Sequence, residues 1–138
     1  MSAVRKAICE YLRADTGAGK VMEIASDVFP KQAPKQAAMP CVVVRAQQPP
    51  KGHYAFQGLD HEESRYVVTG MAEGMSSAQA SELKKRIRAR LHDAPLTVEG
   101  YETLLVSWVQ DVEFTEPDED GVEYQHEGGI YEVWTEPQ

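Results

Sequence analysis

The sequence predicts an α+β fold in which a mostly antiparallel four-stranded sheet carries two main helices on one face, in the order α-β-β-α-β-β. Three observations predict it. A strand–helix–strand pattern occupies residues 62–112, an amphipathic helix lies near the N-terminus, and an acidic turn at residues 116–121 separates two strands near the C-terminus. A hairpin pairs its strands antiparallel, and a helix with an apolar stripe must bury that stripe against another element. We therefore expect both helices to pack on the same face of the sheet.

The central helix, predicted over residues 76–92, has a start, an apolar stripe and an end. Ser76 suits the N-cap position, and Gln79 three residues later completes a capping box. The apolar stripe has the spacing of one helix face and consists of Ala80, Leu83, Ile87 and Leu91. Pro95 cannot continue a helix, so the helix is expected to end near His92.

Two strands flank this helix. Residues 62–72 are rich in β-branched and aromatic residues and lead into a turn at residues 73–75. Residues 102–112 alternate apolar and polar side chains, as a half-buried strand requires. Leu105 and Val109 lie on the second face of that strand, which predicts that this face is partly covered as well.

The N-terminal part of the chain predicts a helix, an ambiguous stretch and a buried strand. Ser2 can cap the first helix, and the glycines in residues 17–19 end it. Its apolar side consists of Val4, Ala7, Ile8, Tyr11 and Leu12. Residues 21–29 fit either a short helix or a loop that ends in a short edge strand. Residues 41–44, which read Cys-Val-Val-Val, indicate a strand buried on both faces.

The remaining segments are predicted to be a loop, a hairpin turn and a last strand. Residues 49–59 contain consecutive prolines and two glycines, which favours a loop that could be mobile. Residues 116–121 combine a proline, acidic residues and a closing glycine, as a tight hairpin turn does. Residues 122–135 then return as the last strand, with a bulge expected at residues 128–129.

Length and composition predict one globular domain that spans residues 1–138. Apolar residues make up 42% of the chain and charged residues 26%. No apolar run approaches the ~18 residues of a membrane span, and no signal peptide opens the chain, so we expect synthesis in a cytoplasm. Cys9 and Cys41 are expected to be buried apolar residues rather than a disulfide pair.

The charge is distributed unevenly along the chain. The net charge of −8 argues against general affinity for nucleic acid. Residues 1–110 carry 14 basic and 12 acidic groups, whereas residues 111–138 carry ten acidic groups and no Lys or Arg. Such asymmetry predicts a surface that either meets a basic partner or repels polyanions.

The sequence contains no pattern that assembles a catalytic, cofactor or metal site. Residues 17–20, Gly-Ala-Gly-Lys, lack the preceding strand and the hydroxyl residue of a phosphate-binding loop. Residues 118–121 lack the remainder of a calcium-binding loop. No zinc-ligand spacing connects the four histidines, which are His53, His61, His92 and His126. We therefore expect no enzyme and no cofactor, with a small cytoplasmic enzyme or ligand-binding domain as the alternative of another class.

Two charged sets and two aromatic residues are candidates for a subunit or partner interface. The basic helix set consists of Lys84, Lys85, Arg86, Arg88 and Arg90, and the acidic turn set consists of Asp118, Glu119, Asp120 and Glu123. The basic residues spread around the helix, which favours a solvated face, or contact with the acidic turn of a neighbouring copy, over a nucleic-acid-binding surface. Tyr54 and Phe56 are further candidates, because aromatic residues are enriched at interfaces.

Four stretches of the chain, taken in order, carry a family resemblance. They are the amphipathic helix at residues 4–12, the proline-rich lead-in and Val-rich strand at residues 28–44, the strand, helix and turn at residues 66–101, and the acidic turn with the final strand at residues 116–134. This order resembles the small tail-completion, or tail-terminator, proteins of long-tailed (siphovirus-type) bacteriophages and related prophages. In that family an aromatic residue usually stands where this chain has Cys41.

The resemblance implies a structural protein with no chemistry of its own. Such proteins have an α+β fold and assemble as a ring, usually of six copies, at the head-proximal end of the tail tube. The ring stops tube growth and presents a surface to the head connector, and DNA passes through its centre without sequence-specific binding. The implied partners are further copies of the chain, the tail tube protein and the head connector or neck protein, with no membrane. The implied location is the neck region of the virion tail, after assembly in the host cytoplasm. A head–tail connector or neck protein is the alternative within the same class.

Overall fold

The structure is a computed structural model that describes residues 3–55, 58–74 and 77–138, and the side chains of residues 3–53, 61–74 and 78–138. In chain order its elements are α1 (Ala3–Arg13), α2 (Val21–Ile24), β1 (Val28–Pro30), β2 (Cys41–Ala55), β3 (Gly58–Glu73), α3 (Ser77–Leu91), β4 (Tyr101–Pro117) and β5 (Glu123–Pro137). No helix in the described ranges is long and apolar enough to cross a membrane.

The described strands form one mixed sheet of five strands in the order β1-β2-β3-β5-β4. β1 runs parallel to β2, and the other neighbours pair antiparallel. The α+β class is confirmed. The prediction of four strands and two main helices is wrong in detail, because β1 and the single turn α2 are additional elements.

Residues 21–29 contain both of the structures that their sequence left open, since α2 is followed directly by β1. Asp15 explains where α2 begins. Its carboxylate oxygen Oδ2 accepts a hydrogen bond from the backbone N–H of Val21 at 3.0 Å, and its carbonyl accepts from the N–H of Met22 at 3.0 Å. This cap lies six residues upstream of the helix, so local periodicity could not reveal it.

The loop predicted at residues 49–59 is wrong, because β2 and β3 run through most of that segment as a hairpin. β2 tolerates Pro49 and Pro50 because β1 does not reach this part of its edge, and because the register shifts between Gln48 and Lys51. Proline cannot donate to a ladder, and it occurs mostly on strand edges and at bulges.

The two faces of the sheet are covered differently. α1 and α3 pack on one face, as predicted, and their main core includes Ile8, Leu12, Val44, Tyr66, Leu83, Ile87, Leu91, Tyr131 and Val133. The other face carries no helix in the described part of the chain, and we call it the helix-free face. There Cys41, Val43 and Met71 pack under Phe29 and Met39. Residues 41–44 are therefore buried on both faces, as predicted.

Two glycines allow elements to approach closely. A Cβ atom on Gly70 would lie 2.5 Å from the Cβ of Leu83 in α3, and one on Gly128 would lie 1.9 Å from the carbonyl oxygen of Val68 in β3. The bulge predicted at residues 128–129 is wrong, since β5 pairs with β3 there without a register shift. Register shifts occur in β4 instead. The absence of a side chain at Gly128 therefore lets the backbone of β5 lie close to the backbone of β3.

His126 lies on the helix-free face with a fully buried side chain. Its Nδ1 shares a hydrogen bond with the hydroxyl of Thr69 at 3.0 Å, and its ring stacks on Phe114 with centroids 4.5 Å apart. The pKa of His126 is lowered to about 4, mainly by burial and also by the guanidinium of Arg45, while the carboxylate of Glu116 acts in the opposite direction. The imidazole is therefore neutral at neutral pH.

We predict that Gly70→Ala destabilises the protein by roughly 2 kcal/mol, because the added methyl group would force α3 away from β3. Gly74→Ala is the matched control, since its Cβ would meet nothing closer than 3.5 Å. Urea denaturation followed by far-UV circular dichroism measures both. Equal stability of the two variants would contradict the close contact.

We also predict that His126 makes the protein less stable in acid. The unfolded chain binds a proton at this residue near pH 6.5, whereas the folded chain does so only near pH 4. Between these values the unfolded state binds more protons, so the free energy of unfolding falls as the pH falls, by about 2 kcal/mol at pH 5. In His126→Gln this contribution is absent. Urea denaturation at pH 7 and pH 5 should show a smaller loss in the variant, and an identical loss in both proteins would refute the assignment.

Candidate interaction surfaces

Arg86 of the basic helix set is bound within its own chain. Its Nη1 donates to the carboxylate of Glu23 at 2.8 Å and to the carbonyl of Lys20 at 3.0 Å, and its Nε donates to Glu82 at 3.1 Å. The hydrogen bond to Glu23 raises the pKa of Arg86 and lowers the pKa of Glu23. This residue therefore fastens α3 to the segment around α2.

Arg90 and Arg88 also contact neighbouring elements. The Arg90 guanidinium lies 3.7 Å from the ring centroid of Tyr11, donates to the Tyr11 carbonyl, and lies 3.5 Å from the carboxylate of Asp15. The Arg88 guanidinium lies 3.8 Å from the ring centroid of Trp108 in β4. Because guanidinium groups stack well on aromatic rings, these contacts tie α3 to α1 and to β4.

The two lysines of the set differ in exposure. The Lys84 side chain is 29% exposed, and its Nζ lies 3.9 Å from the Glu127 carboxylate. The Lys85 side chain is 75% exposed, with its Nζ 4.0 Å from Glu82. Arg86 and Arg90, at 17% and 29%, are much more covered than Lys85. The charged group of Lys85 is therefore more accessible to a partner than those of Arg86 and Arg90.

Asp118 of the acidic turn set builds the hairpin turn between β4 and β5. Its Oδ1 accepts hydrogen bonds from the backbone N–H groups of Asp120 and Val122, each at 2.9 Å, and its Oδ2 accepts from the Tyr124 hydroxyl at 3.4 Å. Gly121 adopts the left-handed conformation with φ of 81°. The predicted hairpin turn is confirmed.

The other three residues of the acidic turn set, Glu119, Asp120 and Glu123, are exposed. The Glu119 carboxylate, 89% exposed, lies 3.8 Å from the Nζ of Lys35, which makes a weak surface pair. Although all nine charged candidates are described, no ion pair within 4.0 Å joins the acidic turn set to the basic helix set of the same chain.

The aromatic candidates cannot be placed in the same way. Tyr54 belongs to β2, but its side chain lies outside the described residues, and Phe56 lies outside them altogether. The sequence patterns do not predict an aromatic stack that lies next to Tyr54. The rings of His53 and His61 lie 4.6 Å apart, His61 and Trp134 lie 4.7 Å apart, and His53 Nε2 is 2.9 Å from the Glu63 carboxylate. The stack joins three strands, so only the pairing register could have revealed it.

Three large apolar side chains are exposed in the described residues: Leu104 at 48%, Leu105 at 40% and Val122 at 39%. The face of β4 that carries Leu105 and Val109 is partly covered, as predicted: Val109 is half-buried, whereas Leu105 is more open. The register of β4 against β5 shifts between Thr103 and Leu105, which interrupts the alternation of side chains at this point. Leu104 and Leu105 thus form an exposed apolar patch that the alternation of apolar and polar residues could not predict.

Comparison with known proteins agrees with this architecture. A family model described as "Tail completion protein gp17" matches residues 6–126. A chain of the solved structure "Virion of native gene transfer agent (GTA) particle" is similar with a TM-score of 0.72 and 14% sequence identity, over 96% of this chain and 93% of that chain. At that identity the likeness establishes a shared fold. No curated protein sequence matches this one. Because the family match spans most of the chain, the protein belongs to the tail completion protein gp17 family of bacteriophage structural proteins.

Proposed function

We propose that this protein is a tail terminator that forms a ring, of six copies, on the head-proximal end of a phage tail tube. The ring stops tube growth and joins the tail to the head connector in the neck of the virion, after assembly in the host cytoplasm. One observation supports this most directly: the match to the tail completion family runs from residue 6 to residue 126. The shared fold with a chain of a virion particle supports it as well.

The proposal assigns no catalytic chemistry to the chain. Cys9 and Cys41 are buried, and burial raises the pKa of both thiols, that of Cys41 to about 11. Because the thiolate is the nucleophilic form, neither cysteine is activated at neutral pH. The function therefore depends on surfaces that contact other copies, the tail tube protein and the connector or neck protein.

The acidic β4–β5 hairpin admits two roles in such a ring. If it faces the lumen, its exposed carboxylates repel DNA and allow the DNA to slide through. If it faces the basic helix set of the next copy, it orients the subunit contact. The internal contacts of Arg86 and Arg90 favour the lumen, because they leave less of the basic helix set free for a neighbour. The exposed members Lys85 and Arg88, together with Tyr54 and Phe56, remain proposed interface residues.

We predict that phage particles assembled without this protein have tails of irregular, extended length that do not join to heads. The physical reason is that an uncapped tube keeps an open end for further subunits. Electron microscopy of tail length measures this, and adding back the purified protein should restore joined particles.

Uniform tails with heads that leak DNA would instead identify a connector or neck protein. Uniform, joined tails would contradict both functions.

We predict that replacing Glu119, Asp120 and Glu123 with lysine leaves rings intact and increases their affinity for DNA at low salt by at least ~tenfold. Each lysine adds a charge that attracts phosphate where the parent repels it. Negative-stain microscopy and a salt-dependent DNA retention assay measure the two effects.

Lys85→Glu is the companion variant, and it avoids the internal contacts that a reversal of Arg86 or Arg90 would break. Under the lumen arrangement its rings also survive. Loss of rings in both variants would show that the acidic hairpin contacts a neighbouring helix instead.

A further inference from the structure

The two edges of the sheet carry opposite charge. All 14 Lys and Arg residues lie in residues 1–90, whereas residues 91–138, which contain β4 and β5, carry 13 of the 22 acidic residues. Residues 28–53, which contain β1 and most of β2, carry four Lys or Arg residues and no Asp or Glu. Because β1 and β2 lie at one edge and β4 at the other, the sheet has a basic edge and an acidic edge. Such a charge separation favours head-to-tail association of copies.

Two exposed lysines mark the basic edge. The N–H of Lys31, which follows β1, donates to the Val44 carbonyl at 2.8 Å, so this hydrogen bond fixes the level of Lys31 along β2. Lys51 lies farther along β2, beyond the part that β1 covers. It directly follows exposed Pro49 and Pro50, which we call the proline pair. In the described part of the chain no carboxylate lies within 4.0 Å of either lysine.

The backbone of Lys31 is strained. Its φ of 76° lies in the left-handed region, which glycine adopts at much lower cost than a residue with a long side chain. Residues held in this way are found preferentially at functional sites. An exposed, strained lysine that forms no ion pair within its own chain is therefore a candidate for contact with a partner.

The acidic edge carries exposed carboxylates and the apolar patch of Leu104 and Leu105. Asp111 lies in β4 and is exposed. Asp93 lies beside β4, where its N–H donates to the Val106 carbonyl at 2.9 Å, and its side chain is 72% exposed. Asp93 and the apolar patch line the same groove of about 210 Å³. This edge thus combines an apolar surface with free negative charge.

The pairing register places Lys31 and Asp111 at the same level on opposite edges. Val44, which holds Lys31, pairs with Val68 in β3. Val68 pairs with Gly129 in β5, and Gly129 pairs with Asp111 in β4. One row of partners therefore crosses the whole sheet from the first residue to the last.

A second row connects Lys51 with the apolar patch. Lys51 pairs with Glu63, Glu63 with Trp134, and Trp134 with Leu105. Rotation about a ring axis that runs along the strands preserves height on that axis. Copies related in this way would bring both rows of one copy level with the same rows of the next.

Much of the two edges is closed to the addition of another strand. In β1 the Val28 N–H donates to the Asp27 carboxylate at 2.7 Å, and the Val28 carbonyl accepts a hydrogen bond from Arg13. The proline pair of β2 has no N–H to donate. On the opposite edge the segment after α3 binds β4 at Val106 and Thr103. A contact between copies at these levels is therefore made by side chains.

We propose that the basic edge of one copy packs against the acidic edge of the next copy. The proline pair meets the apolar patch, Lys31 pairs with Asp111, and Lys51 pairs with Asp93. An apolar centre with a charged rim is the usual composition of a subunit interface. Because the two edges differ, the contact is head-to-tail and repeats around a ring, whereas a two-fold contact of either edge with itself would bring like charges together. The inference rests on the proposed ring function, and it names the surfaces that join the subunits.

Charge exchange tests the contact. Lys31→Glu and Asp111→Lys each bring like charges together, so each should raise the protein concentration at which half of the chains form rings by at least ~fivefold. The double variant restores opposite charges and should recover most of that loss. Lys85→Glu is the control, because Lys85 is exposed on α3 away from both edges, and its combination with Asp111→Lys should recover nothing. Size-exclusion chromatography over a concentration series measures ring formation, and circular dichroism checks folding.

Cross-linking measures the position of the contact independently. Lys51→Cys protein is mixed with Leu105→Cys protein before assembly and treated with a short bis-maleimide. Covalent dimers should form in the mixture and in neither variant alone, because the two added cysteines meet only between copies. A mixture of Lys51→Cys with Val122→Cys is the matched control, since Val122 is similarly exposed but lies in the turn at the other end of β4. Native Cys9 and Cys41 are buried.

Both measurements are made on concentrated protein and on assembled tails, where the fraction of capped tails replaces the fraction of chains in rings. Recovery in the double variant together with dimers only in the 51/105 mixture supports the inference. Rings that lack either result overturn it and leave the proposed function standing. The absence of rings of the parent protein under both conditions overturns the proposed function and this inference together.

Discussion

The close packing of α3 on the sheet is the constraint on which the rest of the structure depends. Gly70 lets the backbone of β3 approach Leu83, and the stripe of Ile87 and Leu91 continues the same contact along the helix. With α3 held at that distance, Arg86 reaches the segment around α2. The same helix therefore organises the core and the N-terminal elements.

In this arrangement the arginines Arg86 and Arg90 on α3 stabilise the fold, and do not simply form a free positive surface. A run of positive charge on a predicted helix reads as a surface for an acidic partner, but Arg86 and Arg90 are bound to carboxylates, carbonyls and an aromatic ring of their own chain. Their positive charge is largely compensated before any partner arrives. The uncompensated charge of the molecule lies instead on the exposed acidic hairpin, which agrees with a net charge of −8.

Placing both main helices on one face leaves two unlike edges. The proposed ring would use such differences, because neighbouring copies in a ring contact each other through two unlike surfaces. The helix-free face is not simply exposed either: His126, Thr69 and Phe114 pack on it, and the neutral imidazole there is kept by burial. Packing on that face therefore depends on pH, whereas packing under the helices is apolar.

The sequence by itself determined the α+β class, the two long helices, the buried strand at residues 41–44 and the acidic hairpin turn. Each of these depends on local periodicity or turn chemistry, which neighbouring residues specify. Only the tertiary structure decided that β1 joins the sheet, that residues 49–55 are strand rather than loop, that Asp15 starts α2, and that Leu104 and Leu105 are exposed. Those outcomes depend on strand register and on contacts between residues far apart in the chain, and no local pattern encodes them.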